Sequence, residues 1–403
     1  MSTTVRDRSA DLSADLGRFI RCWYLHEFLH GFVLLYPVYA IYMLDQGLSP
    51  LELSWLFIIW SGAAMAFELP TGVLADRFPR RYILIMASIV KAAAFGIWWL
   101  FPDFVGFAAG FVIWAFAGAN FSGASEACIH DQLASADRVD LFERVYGRGS
   151  AFEQAGMITA LAAGGAIAEA GFNLVFAGSI LTCVIAALVA SIGFPHRRVF
   201  IQSQDQTQTF FKTLVEGARE SLASRTVVVA IALMALLGLA PETLDEYAGP
   251  LLDETAAFSM TTIGLLYGAL SIPGLIGTAL AERWRGASLG ALCAWYLFMG
   301  GLLTTFAWLG PWGVVASLAT VFFIHGALSV LLQSYLQRRV ADEARATIGS
   351  IASLVLNGFA LPMYAAIGTI AGSHGFAGAF TMGGIFTVLV GSILLLITRR
   401  TRL

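Results

Sequence analysis

The chain is poor in charge. Asp, Glu, Lys and Arg make up 13% of its 403 residues, against 58% hydrophobic residues and a mean hydropathy of +0.75. A soluble domain carries about 25% charge, so lipid is the solvent for most of this surface. Cysteine is scarce too. Cys22, Cys128, Cys183 and Cys293 stand in or beside apolar segments, none at metal-ligand or redox spacing. They read as small buried apolar residues rather than disulfides or ligands. The opening "MSTTVRDRSADLSADLGRF" has no apolar core before a small-residue cleavage site. A cleavable signal peptide is therefore not expected, and residues 1–19 read as a short cytoplasmic tail. Nothing resembles a phosphate-binding loop, so ATP hydrolysis within the chain is not expected. No cofactor, metal or nucleic acid is expected. The net charge of −3 says little, because the placement of charge matters more than its sum.

What is abundant is apolar sequence in runs of about 20 residues, the length that crosses a bilayer. Twelve such runs can be read, at 20–44, 51–75, 82–101, 104–130, 146–169, 173–194, 226–251, 260–282, 288–309, 312–336, 346–371 and 375–397. Gaps as short as "PD" at 102–103 and "GPW" at 310–312 force antiparallel neighbours. Every Lys and Arg except Lys91 falls at a terminus, in an even-numbered gap, or, for Arg21 and Arg148, within the first three residues of a run beside one. By the positive-inside rule both termini and all even gaps are cytoplasmic. The longest gap, 195–225, holds "FFKTLVEGARESL", a candidate amphipathic helix on the inner membrane face. It separates an N-terminal six-helix bundle, 20–194, from a C-terminal one, 226–397, with a second tail at 398–403. The halves echo each other. "GLSPLELSWLF" at 47–57 resembles "AFSMTTIGLLY" at 257–267, about 210 residues on; "ADRF" at 75–78 has a counterpart in "AERW" at 281–284, and "RVYGRGS" at 144–150 in "RATIGS" at 345–350. The expected fold is an all-α membrane protein of twelve transmembrane helices in two pseudo-symmetric bundles. That plan suggests a transporter with its site near the bilayer midplane between the halves.

Between runs two and three stands "GVLADRFPRR", Gly72 to Arg81. Twelve spans in two sixes with this loop resemble the major facilitator superfamily, whose signature here is Gly-x-Leu-Ala-Asp-Arg-x-Gly-Arg-Arg/Lys. The match holds at Gly72, Leu74, Ala75, Asp76, Arg77, Arg80 and Arg81, with Pro79 where the family has Gly. The resemblance implies a conformational latch. Gly72 permits close helix approach, Asp76 faces the N-terminus of span eleven near Thr347, and Arg77 pairs with an acid at the inner end of span four, for which Asp131 is the candidate. Arg80 and Arg81 complete the charged loop, and breaking the latch gives alternating access. Efflux members of the superfamily carry Gly-x8-Gly-x3-Gly-Pro-x2-Gly-Gly in span five. Gly147, Gly156, Gly164 and Gly165 fall at those spacings, with Ala160 and Leu161 in place of the Gly-Pro pair. Similarity to drug:proton antiporters implies export, tight packing of span five through small residues, and a monomer. The intramembrane Arg that the family often has in span four is absent from "FVIWAFAGANFSGASEA".

A carboxylate in hydrocarbon costs about 2.5–3.5 kcal/mol on insertion scales, so each asks for a reason. Run one holds "LHEFLH", with Glu27 and His30 at i, i+3 and His26 and His30 at i, i+4. They read as a proton-binding cluster, or as a polar patch near the inner surface. Glu68, Glu126, Asp131 and Glu153 fall in the inner half of the first bundle. Pairing with Arg77, Arg144 or Arg148 is the structural reading for Glu68, Glu126 and Asp131. Glu153 lacks an evident partner and ranks higher as a proton or substrate site. Run seven holds "APETLDEYAGP", where Glu242, Asp245 and Glu246 lie between Pro241 and Pro250, which can break a helix and free backbone groups. These acids read as a cavity favouring cations or protons, or as an outer water interface. Asn357 and His325 are candidates to line the same cavity. Lys91 reads as a counter-ion for one of the acids, or as a snorkelling side chain.

The leading expectation is a secondary transporter of the plasma (inner) membrane working by alternating access. It would couple protons to export of an amphipathic, neutral or cationic small molecule such as a drug, antibiotic or siderophore. Its partners would be that small-molecule substrate, protons and membrane lipids. The alternative is proton-coupled uptake of a small metabolite. A reading of another class, a membrane enzyme or transport-dead sensor, calls for clustered ligands or a nucleophile with its base, and neither is seen.

Overall fold

A computed structural model describes residues 2–195, 236, 238–255, 258–337 and 345–401, with the side chains at 2–14, 68–77, 307, 336–337, 345–354 and 397–401 outside what it describes. The first half runs through α1 (Ser2–Gly31), α2 (Tyr39–Asp45), α3 (Pro50–Arg77), α4 (Arg80–Leu100), α5 (Phe104–Ser135), α6 (Phe142–Ala170) and α7 (Phe172–Gly193). The second half has a helical stretch at 238–245, then α8 (Ala248–Glu254), α9 (Met260–Leu280), α10 (Leu289–Thr304), α11 (Pro311–Gln337) and α12 (Arg345–Thr401). The fold is all-α, with no strand among the described residues.

Local chemistry starts these helices. Glu52 Oε2 accepts from both the N–H and the hydroxyl of Ser49 at 2.8 Å, and Ser49 Oγ accepts from the Glu52 N–H at 3.2 Å. This is a capping box with Pro50 at the first helical position. Ser259 caps α9 by accepting from the Thr262 N–H at 3.2 Å. Ser49 and Ser259 occupy matching places in the two echoing segments, about 210 residues apart, so each half opens its second span with the same device.

Seven helices among the described residues are long and apolar enough to cross a membrane. The count falls short of twelve for physical reasons. The run at 20–44 is not one helix: α1 ends at Gly31, residues 32–38 carry no α-helix, and α2 resumes at Tyr39. α6 starts with a charged turn, α10 is apolar but short, and much of the run at 226–251 lies outside the described residues. Its described part is broken at Glu246–Tyr247. The runs at 346–371 and 375–397 join in α12, kinked at Gly375, whose φ is +73°. There the Glu254 carboxylate accepts from the Phe376 N–H at 2.5 Å and the Ala377 N–H at 3.3 Å, and a Cβ at 375 would strike it. The candidate amphipathic helix within 195–225 lies outside the described residues.

The chain packs into two compact units, 1–39 with 59–203 and 40–58 with 204–403. The expected N-terminal bundle at 20–194 thus yields α2 and the start of α3 to the other unit. In that second unit the hydroxyls of Ser54 and Tyr247 stand 2.5 Å apart, and Phe57 packs on Tyr247 and Tyr364 with centroids at 5.2 and 5.6 Å. In the first unit α1 and α6 meet through glycines. A Cβ at Gly31, Gly156 or Gly164 would collide with the backbone carbonyl oxygen of Glu153, Phe28 or Leu34 respectively. Such close approach is how helices associate where lipid offers no hydrophobic drive.

Candidate functional site

The first unit holds a half-open cavity of about 530 Å³ between α1, α5 and α6. Trp23, Glu27 and His30 reach it from α1 because i, i+4 and i+7 share a helix face. Glu27 is only 4% exposed. Its Oε1 accepts from the Ser125 hydroxyl at 2.5 Å, and Ser125 Oγ accepts from Trp23 Nε1 at 3.0 Å. The His30 ring lies flat on Phe121, with centroids 3.4 Å apart and planes 1° from parallel. Glu126 enters from α5, Tyr146 and Glu153 from α6, and neither Lys nor Arg is in the lining. Cavities of roughly this size hold drug-sized molecules.

Sequence reasoning named Glu27, His30, Glu126 and Glu153, and the structure brings all four to one cavity. It separates His26 from them. That ring is wholly buried, with Nε2 at 3.5 Å from the Ser88 hydroxyl and its faces against Phe121 and Phe194. Glu126 was read as an arginine partner. The structure exposes it to the cavity, and Arg148 interacts with the Tyr24 hydroxyl. Trp23, Phe121, Ser125 and Tyr146 were not singled out. The signal that could have found Ser125 was a small hydroxyl beside Glu126 in an otherwise apolar run.

At the far end of α1 the first span is broken, and Lys91 of α4 lies against the break. Its Nζ donates to the His30 carbonyl and to the Tyr36 hydroxyl, both at 3.0 Å. Lys91 is 3% exposed, so it does not snorkel. Among the described residues no carboxylate lies within 4.0 Å of it; Glu153 reaches it only through its longer-range charge.

The acids of run seven belong to the second unit. The Tyr267 hydroxyl donates to the Asp245 carbonyl at 2.8 Å and lies 3.4 Å from its Oδ1. Glu246 is the first residue of the break after 238–245, and Asn357 sits on α12. Beyond the spans, Asp45 and Asp253 are exposed, and partial desolvation pushes their carboxyls above their ordinary range, the Asp253 charge adding to the rise at Asp45.

In the arginine-rich loop, α3 runs through Gly72 and Asp76 to end at Arg77, and the side-chain roles expected of these three lie outside the described residues. Arg81 donates to the carbonyls of Phe194, at 2.9 Å, and of Ser191, closing the C-terminal end of α7. Asp131 has His130 Nδ1 at 4.0 Å and the charge of Arg80 acting on it. Of the span-five glycines, Gly156, Gly164 and Gly165 are buried. Gly147 is exposed and would meet nothing with an added Cβ; Gly149 takes the contact, against the Trp23 ring. Among the described residues no group of three or more His, Cys, Asp or Glu is placed to hold a metal ion.

Solved transporter structures share this fold. The nucleoside transporter NupG superposes with a TM-score of 0.75 at 14% identity, over 94% of this chain and 99% of that one. A bacterial homologue of the human lysosomal transporter Spinster gives 0.73 at 15%, over 96% and 97%, and a D-xylose–proton symporter 0.68 at 16%, over 94% and 96%. At such identities the likeness is one of fold. A search of curated proteins gave no match. The family model described as Major Facilitator Superfamily matches residues 28–363, and the chain belongs to that superfamily as an integral, multi-pass membrane transporter of a small-molecule substrate.

Proposed function

We propose that this transporter exchanges protons for an amphipathic, neutral or cationic small molecule and exports it across the plasma (inner) membrane, with both termini cytoplasmic. One observation carries the reading. Three carboxylates, Glu27, Glu126 and Glu153, share a cavity with aromatic faces and without Lys or Arg in its lining. Aromatic rings and carboxylates together suit an organic cation. Glu27, deepest and held by Ser125, is the proton carrier; Glu126 and Glu153 face the substrate. Proton and cation then compete for one site, and their exchange drives rocking of the two halves. The span-five glycines at the α1–α6 contact support export by their likeness to efflux members. Asp245, Glu246 and Asn357 serve as the second half's polar contribution. Gly72, Asp76, Arg77, Arg80, Arg81 and Asp131 form the cytoplasmic latch. The protein works as a monomer among membrane lipids.

Uptake by symport is the second reading, favoured by Ala160 and Leu161 standing where the efflux pattern has Gly-Pro. The test is accumulation of a fluorescent lipophilic cation in cells lacking their own pumps. Exclusion of the dye that collapses with a proton uncoupler supports proton-coupled export. Accumulation equal to that of empty cells contradicts it for this substrate class.

A further inference from the structure

We propose that Lys91 is a positioning residue whose ammonium acts as a tethered counter-cation at the break in the first span, filling the place that a bound metal ion takes at broken helices elsewhere.

A helix end leaves carbonyls without partners. In an unbroken helix the His30 carbonyl would accept from residue 34. Around residue 34 the helical ladder is lost: Val33 N–H turns to Gly31 O at 2.9 Å, Tyr36 N–H to Val33 O at 3.2 Å, and Leu35 N–H to the Ser179 hydroxyl at 3.2 Å. Lys91 supplies the missing donor to His30 at 3.0 Å, and with the same nitrogen holds Tyr36, inside the break, at 3.0 Å. One buried ammonium thus ties both sides of the interruption, directly above the turn that carries Glu27 and His30 into the cavity. Freed carbonyls at half-helix ends are the groups that coordinate sodium in broken-helix transporters.

The second half offers a control. Its first described span also breaks, and α8 (Ala248–Glu254) resumes about 210 residues after α2 (Tyr39–Asp45). There the freed Asp245 carbonyl is met by the neutral Tyr267 hydroxyl at 2.8 Å. A neutral donor therefore suffices to cap such a carbonyl. The cation at Lys91 must serve something more, and the titratable groups its charge reaches are Glu153, His26, His30, Tyr36 and Cys183.

Hydrogen exchange on the purified full chain in detergent tests this without any transport substrate. In Lys91→Ala, amides at 28–40 are expected to exchange about tenfold faster, with other helices unchanged. Excess methylammonium should restore their protection, Lys91→Arg should retain it, and Tyr267→Phe should leave 28–40 unaltered. Unchanged exchange at 28–40 in Lys91→Ala overturns the proposal, as does loss that neither methylammonium nor Lys91→Arg repairs. If Lys91→Ala loosens every helix, Tyr36→Phe decides: faster exchange confined to 28–40 upholds the proposal, and no change overturns it.

Discussion

The Ser125 hydroxyl donates to Glu27 Oε1 at 2.5 Å while accepting from Trp23 Nε1 at 3.0 Å. This chain of three side chains links α1 to α5 and fixes which Glu27 oxygen is free to meet the cavity. A hydrogen bond to a charged group contributes about 1.5–3 kcal/mol. Ser125→Ala is therefore expected to slow dye export about tenfold or more, read as initial efflux rate, while the protein still assembles. Glu27→Gln should abolish the uncoupler-sensitive part altogether.

The α1–α6 contact tolerates no side chain at its centre. Gly156→Val drives a branched side chain into the Phe28 carbonyl, and overpacking of this kind costs about 1–3 kcal/mol. Thermal melting of the purified variant should fall by several degrees. Gly147→Ala, in open space, should melt with the wild type.

Asp45 and Asp253 set a pH dependence. Both residues are exposed, and partial desolvation at the surface disfavours their charged form and holds the carboxyls above their ordinary range, with the Asp253 charge adding to this at Asp45. A carboxyl with a raised folded pKa weakens the fold as it ionises. The stability is present below the unfolded value of about 3.9 and is lost as pH rises through the folded value. Asp45→Asn should accordingly melt above the wild type at neutral pH, with the difference closing below about pH 4.

Ser54 and Tyr247 form a second cross-chain pair, hydroxyl to hydroxyl. Ser54 also donates to the Pro50 carbonyl at 3.0 Å, so Tyr247 is the donor between the two hydroxyls. Tyr247→Phe should cost about 1 kcal/mol in chemical or thermal unfolding. In a double-mutant cycle, Ser54→Ala on top of it should add less than it does alone.

Much of this was legible in the sequence. Apolar runs and the sorting of arginines gave the helical plan, and the likeness of 47–57 to 257–267 foreshadowed the shared caps at Ser49 and Ser259. Glu27, His30, Glu126 and Glu153 stood out because acids and imidazoles in hydrocarbon need a reason. The break in the first span was missed because hydropathy is blind to it: "GFVLLYP" is as apolar as a helix core. The cue was Pro37, which lacks an N–H and disfavours helix at Tyr36. Lys91 was conspicuous, but its partners were not. They are a backbone carbonyl and a phenol more than fifty residues away, a pairing that no spacing rule encodes. Gly149 was overlooked for Gly147 because a pattern of spacings does not say which glycine faces a neighbour.

The central claim is that proton and organic cation compete for Glu27. The direct measurement is proton release on binding, with purified protein in weakly buffered detergent solution, tetraphenylphosphonium as the cation and a pH-sensitive dye as reporter. Linkage requires that a cation which displaces the proton binds more weakly as acidity rises. The account predicts release of about one proton per cation bound in the wild type where Glu27 starts protonated, fading as pH rises and the carboxyl is already ionised, and none in Glu27→Gln. Binding without proton release in the wild type, or equal release from Glu27→Gln, would contradict it.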